Sequence, residues 1–187
     1  MGERRGIERA KELIEELGMQ PHVEGGYFVE VYKSPLTVKA EIGERRAVTA
    51  IYYLLVNEGR NSRSRLHRVM SDELWFHCEG DPLELFWVEE MDEMDKRADE
   101  KVDERMDDRK ENRDGSDGDD GDKDRGKVRR VVLGERCFAV VPACCWQAAR
   151  TLGEYTLVSC VVAPGFTYED FELFEDTLKY PELRDFV

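Results

Sequence analysis

Hydrophobic residues recur at a helical spacing near the start of the chain and at a strand-like spacing after it. Between residues 4 and 17, apolar side chains fall three and four positions apart on one face, and Gly18 follows. This spacing predicts an amphipathic helix over residues 4–17 that ends at the glycine. The apolar positions are Ile7, Ala10, Leu13, Ile14 and Leu17.

After Gly18 the chain divides into short segments rich in β-branched and aromatic residues, which predict strands. Turns with Gly, Pro or Asn separate them, and no helical stretches alternate with them. We therefore expect an all-β sandwich or barrel rather than a doubly wound sheet. The tail beyond Phe166 is predicted to end in a short helix near Pro181. The predicted strands are 26–34, 47–57, 63–69, 73–79, 83–89, 128–133, 137–141, 146–150 and 155–163.

One segment departs from this pattern. Residues 89–127 contain 18 acidic and 10 basic side chains, with no aromatic residue and no Ile or Leu. Such a composition has too little apolar surface to form a core. We expect a single domain over residues 1–187 with a charged insertion at 89–127. Within it, the spacing over 91–106 suits a marginal helix, and 113–127 is predicted to be disordered.

Charge and cysteine usage narrow the class of protein. The net charge of −14 argues against nucleic-acid binding, because a phosphate backbone needs a basic surface. No apolar run approaches the ~18 residues of a membrane span, and the first residues lack the apolar stretch of a secretory signal. We expect a cytoplasmic protein whose five cysteines are reduced. The adjacent Cys144 and Cys145 are interpreted as small buried side chains, and a redox role stays open.

Candidate chemistry is concentrated in residues 67–80, HRVMSDELWFHCEG. Alternate residues of a strand face the same side, so Glu73, Trp75 and His77 share one face, and His67 lies on the preceding strand. A carboxylate is rarely buried without a partner, so this face predicts a polar pocket with an aromatic wall. The alternatives are core packing for Trp75 and a hydrogen-bonded interior position for His77.

At this point the sequence resembles the cupins. The run from His67 through Glu73 to Gly80 matches the first cupin motif, and GERCFAVVPACCWQ at 134–147 is similar to the second. The wider pattern resembles an uncharacterised branch of unknown function with a PHxEGGY-type signature. The resemblance implies a cupin-type double-stranded β-helix, or jelly-roll barrel, with an N-terminal helix, and a homodimer. The matching segments are PHVEGGYF (21–28), TAIYYLL (49–55), SDELWFHCEGDPLEL (71–85), VPACCWQAA (141–149) and YTLVSCVVAPGFTYEDFEL (155–173).

The sequence departs from metal-binding cupins, which commonly use His, His and Glu from the first motif and His from the second. In this resemblance His67 and Glu73 match, whereas Val69 and Gln147 stand at the two other histidine positions, and Cys144 replaces a turn glycine. Neutral imidazole is the usual anchor for transition metals, and only one remains. We therefore expect no cofactor. A divalent transition metal held by His67, Glu73 and Gln147 is the alternative.

Three functions stay open. The first is a metal-free isomerase or epimerase that acts on a small polar, sugar-like molecule, as similar jelly-roll epimerases do. His67 is then the predicted base, and Glu73 and Tyr27 are the further catalytic residues. The second is a non-catalytic small-molecule binding module with the same pocket, and the third is a metal-dependent cupin enzyme. The predicted ligand-binding residues are Glu24, Thr49, Trp75, His77 and Gln147.

Overall fold

The computed structural model describes residues 3–88, 127–175 and 180–187. Helix α1 spans Glu3–Leu17, as the helical spacing predicts, and every predicted strand is present to within about two residues at each end. Four short strands of the described residues were not predicted, and they span residues 20–21, 37–40, 43–46 and 171–173. The strands are β1 (Gln20–Pro21), β2 (Tyr27–Lys33), β3 (Thr37–Ala40), β4 (Gly43–Arg46), β5 (Thr49–Val56), β6 (Arg63–Val69), β7 (Asp72–Gly80), β8 (Leu83–Val88), β9 (Arg129–Leu133), β10 (Phe138–Val141), β11 (Trp146–Thr151), β12 (Tyr155–Ala163) and β13 (Phe171–Leu173).

Two antiparallel sheets form the body of the fold. One has the strand order β1-β2-β5-β12-β7-β10 and the other β13-β6-β11-β8-β9, while β3 and β4 form a separate hairpin. The central core lies between the sheets: Tyr53 and Trp75 come from the first sheet, and Leu85 and Ala149 from the second. The inward residues of both sheets pack together, which agrees with the sandwich or barrel predicted from the strand pattern and with the jelly roll that the resemblance implies.

The outer faces of the sheets are covered at one end each. Helix α1 buries Ala10 and Leu13 against Leu54 and Leu157 of the first sheet. A 3₁₀ helix over Pro181–Phe186, where a short helix was predicted, packs on the second sheet. Burying a Leu side chain contributes about 2 kcal/mol, so both segments add to the stability of the domain. Within the described residues, no helix is long and apolar enough to cross a membrane.

The charged segment connects two neighbouring strands. Trp87 of β8 lies opposite Arg129 of β9, so the chain leaves the sheet and returns to an adjacent position. This agrees with the prediction of an insertion into a simple connection. The predicted helix over 91–106 lies outside the described residues, as does nearly all of the segment predicted to be disordered.

Of the two adjacent cysteines, Cys144 is half-buried and Cys145 is buried. Cys144 has a φ of 65°, in the left-handed region that favours glycine. Its backbone N–H donates to the Val69 carbonyl (2.8 Å), which fastens the turn to β6. The turn thus keeps the glycine-like conformation that the resemblance implies, even though a cysteine occupies the position.

A buried carboxylate links three strands of the second sheet. Glu84 of β8 is 2% exposed and accepts from Nε of Arg150 on β11 at 2.6 Å. Arg130 on β9 donates to its other oxygen. Both arginines remain about half exposed, so the network replaces the lost hydration of one buried charge.

Replacing both arginines with methionine is expected to lower the free energy of unfolding by about 3 kcal/mol, because Glu84 is then buried without a counter-charge. Adding Glu84→Met is expected to recover most of that loss. Urea unfolding followed by circular dichroism measures both steps. Equal stability of the double and triple variants would contradict the importance of the unpaired charge.

Candidate functional site

A cavity of about 110 Å³ lies between the two sheets. Its polar residues come from separate elements: Glu24 from the turn between β1 and β2, Thr49 from β5, His67 from β6 and Glu73 from β7. His22 lies beside Glu24. The aromatic residues of the lining are Phe28, Phe166, Tyr168 and Phe171.

The Gly-Gly turn of the PHVEGGY segment places Glu24. Both Gly25 and Gly26 have positive φ, and a Cβ on Gly25 would lie 2.5 Å from the carbonyl oxygen of Arg63. The turn is therefore pressed against β6, and the N–H of Arg65 donates to the Glu24 carbonyl (2.8 Å). Glycine is required because this chain's own backbone approaches so closely. The Glu24 side chain is thereby held next to His67.

Glu24 and His67 form a buried carboxylate–imidazole pair. Nδ1 of His67 lies 2.8 Å from Oε2 of Glu24, and the two side chains are 3% and 7% exposed. The hydrogen bond of Nδ1 is directed instead to the Arg65 carbonyl, also at 2.8 Å. Oε2 of Glu24 consequently has a charge contact but no hydrogen-bond donor among the described residues. Because Nδ1 is occupied, Nε2 is the ring nitrogen available to a ligand.

The electrostatics of the pair favour its charged form. Burial alone lowers the pKa of His67, but the Glu24 carboxylate, with help from Glu73 and the Arg65 carbonyl, raises it to about 9. Burial likewise raises the pKa of Glu24, and the two neighbouring histidines outweigh that effect and lower it. At neutral pH the site therefore contains an imidazolium beside a carboxylate.

Glu73 has the opposite tendency. It lies on the cavity wall, and Gln147 Nε2 donates to its Oε2 at 2.6 Å. Gln147 is itself oriented by Trp75, whose Nε1 donates to Oε1 at 3.0 Å. Burial raises the pKa of Glu73, only partly offset by the positive charge of His67. The cavity thus holds two carboxylates whose pKa values are moved in opposite directions.

Comparison with known proteins identifies the family. Residues 11–174 match the family described as cupin superfamily (DUF985). The chain belongs to this cupin family. A hypothetical protein from Leishmania major is 31% identical, with 94% of each chain covered and a TM-score of 0.67. A protein from Shewanella oneidensis is 24% identical, covering 94% of this cupin and 92% of the other chain, with a TM-score of 0.66. No curated protein matches the chain.

The predicted metal ligands of this cupin do not fit a transition metal. Oε1 of Gln147 accepts from Trp75 and its Nε2 faces Glu73, so the carboxamide turns no free oxygen toward an ion. An indole N–H is only a donor, which sets this orientation of the amide. In the part of the chain that the structure describes, no three His, Cys, Asp or Glu side chains are grouped to hold a metal.

Several predicted site residues are placed away from the cavity. Tyr27 packs in the cluster under helix α1 and accepts from Asn61 (3.1 Å), whereas its neighbour Phe28 lines the cavity. Its predicted catalytic role does not match this position, because successive residues of a strand face opposite sides. Nε2 of His77 lies 3.1 Å from the Asp81 carbonyl, at the other end of β7 from Glu73.

Some of the other predicted ligand-binding residues line the cavity, and the rest hold a lining residue in place. Glu24 and Thr49 line the cavity, and the Thr49 hydroxyl accepts from the N–H of Phe166 at 2.9 Å. Trp75 belongs to the central core, which is the alternative considered for it. Its indole N–H orients Gln147 by donating to the Gln147 side chain. Gln147 is fully buried and acts on the cavity through Glu73 rather than at its surface.

Sequence reasoning did not assign His22 or the aromatic wall to the site. Nδ1 of His22 lies 3.4 Å from Oε1 of Glu24, so Glu24 is flanked by two imidazoles. The spacing His22-x-Glu24 before two glycines was the available signal. The aromatic wall is formed by Phe166, Tyr168 and Phe171, which lie about 100 residues after His67 in the sequence. No local sequence pattern marks them as residues of the cavity wall.

Proposed function

We propose that this cupin binds a small hydroxycarbonyl compound and isomerises or epimerises it by moving a proton between carbon and oxygen. The observation that carries the proposal is the pair of wall residues His67 and Glu73, which line one cavity and whose pKa values are both raised above their ordinary values. Titratable groups adjusted in this way within one cavity are typical of acid–base catalysis.

Glu73 acts as the base. Its raised pKa makes it a better proton acceptor than an ordinary carboxylate when it is ionised near neutral pH. It takes the proton from the carbon next to the substrate carbonyl. The electron pair of that C–H bond forms a carbon–carbon double bond, and the carbonyl oxygen gains electron density.

His67 acts as the acid. Because its pKa is about 9, it carries a proton on Nε2 at neutral pH and gives it to the carbonyl oxygen as charge develops there. Glu24 stabilises the imidazolium and holds the ring. The resulting enediol takes the proton back from Glu73 at the former carbonyl carbon and loses the proton of its other hydroxyl to His67, which gives the isomer. Return of the proton to the original carbon on its other face, with the first hydroxyl returning its proton to His67, gives the epimer. Neither route consumes an oxidant or reductant. This assignment reverses the role of base expected for His67.

The size and lining of the cavity support a short substrate. An apolar cavity of ~150 Å³ in another protein holds benzene, which has six heavy atoms, so about 110 Å³ suits a molecule of at most about six heavy atoms. The Glu24 carboxylate lines the cavity and suits a substrate hydroxyl, because a carboxylate only accepts hydrogen bonds. A compound of three carbons with adjacent hydroxyl and carbonyl groups satisfies both features.

The test is solvent exchange. We expect the protein, incubated in D₂O with neutral hydroxycarbonyl compounds such as glyceraldehyde and dihydroxyacetone, to introduce deuterium next to the carbonyl. Proton NMR follows both the exchange and the isomer formed. The rate is expected to be the same with and without EDTA. Binding without exchange would show a binding module instead, and an EDTA-sensitive rate would show metal-dependent chemistry.

A further inference from the structure

A wider groove of about 560 Å³ lies beside the cavity. Glu30, Phe166 and Tyr168 line both spaces, so these three residues form the boundary between them. Tyr168 is 58% exposed, so this boundary lies at the protein surface.

Three of the side chains that line the groove are basic, in a protein whose net charge is −14. Lys33, Arg45 and Arg46 line it together with two carboxylates, Glu30 and Glu44. Nζ of Lys33 lies 3.5 Å from Glu30, and both side chains are about half exposed. An exposed pair of this kind is weak and opens readily to another anion.

Arg46 is the basic residue most available to a ligand. Its Nη1 donates to the Pro35 carbonyl at 3.1 Å, a neutral acceptor that orients the guanidinium without cancelling its charge. No carboxylate within the described residues forms an ion pair with it. A planar guanidinium has several N–H donors, so most remain free to bind the oxygens of an anion.

The walls of the groove are held together by a partly buried ion pair. Arg45 of β4 donates to both oxygens of Asp170 at 2.7 Å, with side chains only 13% and 9% exposed. The N–H of Gly165 also donates to the Arg46 carbonyl at 2.7 Å. These contacts join the β3–β4 hairpin to the segment that carries Phe166 and Tyr168. The groove is therefore built before any ligand arrives.

We infer that the groove binds the phosphate group of a phosphorylated substrate, with Arg46 as the main contact and Lys33 as the second. This deepens the proposed function by naming the substrate class: a short hydroxycarbonyl phosphate whose carbonyl end enters the cavity. A phosphate offers several acceptor oxygens to the two cations, whereas the cavity itself has room only for the uncharged end.

The experiment is titration calorimetry with inorganic phosphate at low ionic strength. We expect saturable binding to the wild-type protein, weakened about tenfold by Arg46→Gln and less by Lys33→Gln. The matched control is Arg60→Gln, since Arg60 is exposed in the turn Gly59–Ser62 and does not line the groove. Binding is expected to weaken as salt is added, because exposed charges are screened. Thermal melting checks that each variant is folded.

No saturable phosphate binding by the wild-type protein would overturn the inference, and so would equal affinities of Arg46→Gln and Arg60→Gln. Failure here is distinguishable from failure of the proposed function. The calorimetry needs no turnover, and the deuterium exchange uses neutral compounds that have no phosphate. Deuterium exchange without phosphate binding would overturn only the inference that the groove binds phosphate. Phosphate binding without exchange would overturn only the proposed acid–base function.

Discussion

Glu73→Gln is expected to slow deuterium exchange into the neutral hydroxycarbonyl compounds by about a thousandfold, within the ~10²–10⁴ that acid–base groups contribute. A carboxamide has nearly the same shape as a carboxylate and still accepts from Gln147, but it does not take up the proton. Single-turnover exchange measured by NMR gives the effect directly. Glu8→Gln, on an exposed part of helix α1, is the matched control and is expected to exchange at the wild-type rate.

The pH dependence of stability provides an independent check on Glu73. Burial raises its pKa in the folded state, so its contribution to stability is complete at low pH and is lost as pH rises through that pKa. Glu73→Gln has no such loss. Its melting temperature should rise relative to the wild type as pH increases. A difference in melting temperature that stays constant with pH would mean that Glu73 is not desolvated. A deuterium exchange rate unchanged by Glu73→Gln would show that Glu73 is not the base.

Glu24→Gln is expected to lower the pKa of His67 from about 9 to below neutrality, because burial then acts with far less opposition. At pH 7 the acid of the proposed reaction would be unprotonated, and exchange should fall about a hundredfold. Histidine ring resonances, followed by NMR through a pH titration, measure the pKa. Glu8→Gln again serves as control and should leave the His67 titration at its wild-type position.

The same variant is expected to change the stability profile. A histidine whose pKa is about 9 when folded and ~6.5 when unfolded contributes roughly 3 kcal/mol below pH ~6.5, and loses it as pH rises through 9. Glu24→Gln should remove this decline, so that the two proteins converge in stability at high pH. A His67 titration unmoved by the substitution would show that Glu24 is not its charge partner.

Periodicity predicted the strands well because each inward-facing residue must be apolar or paired whatever the rest of the chain does. The alternation in β7 correctly placed Glu73 and Trp75 on the inner face. Tyr27 was proposed from the resemblance and not from alternation; in the structure it packs under helix α1, whereas its neighbour Phe28 lines the cavity. Alternation identifies two faces but does not say which one is inside.

The periodicity of the sequence could not identify the carboxylate that pairs with His67. Glu24 lies in a turn, and only its packing against β6 brings its carboxylate to within 2.8 Å of the imidazole. Glu73, predicted as a further catalytic residue, lies on the facing sheet and is bound by Gln147. The carboxylate nearer to His67 in sequence is therefore not the one that pairs with it.

Local spacing and composition alone predicted an all-β fold with an N-terminal helix, a charged insertion and a polar region around residues 67–80, and the resemblance to cupins added the jelly roll. Only the tertiary structure decided that Glu24 pairs with His67, that Gln147 is turned toward Trp75 and Glu73, and that a groove lined by Arg46 adjoins the cavity. Burial and charge act between residues that are far apart along the chain, so their effects exist only once the two sheets have closed on one another.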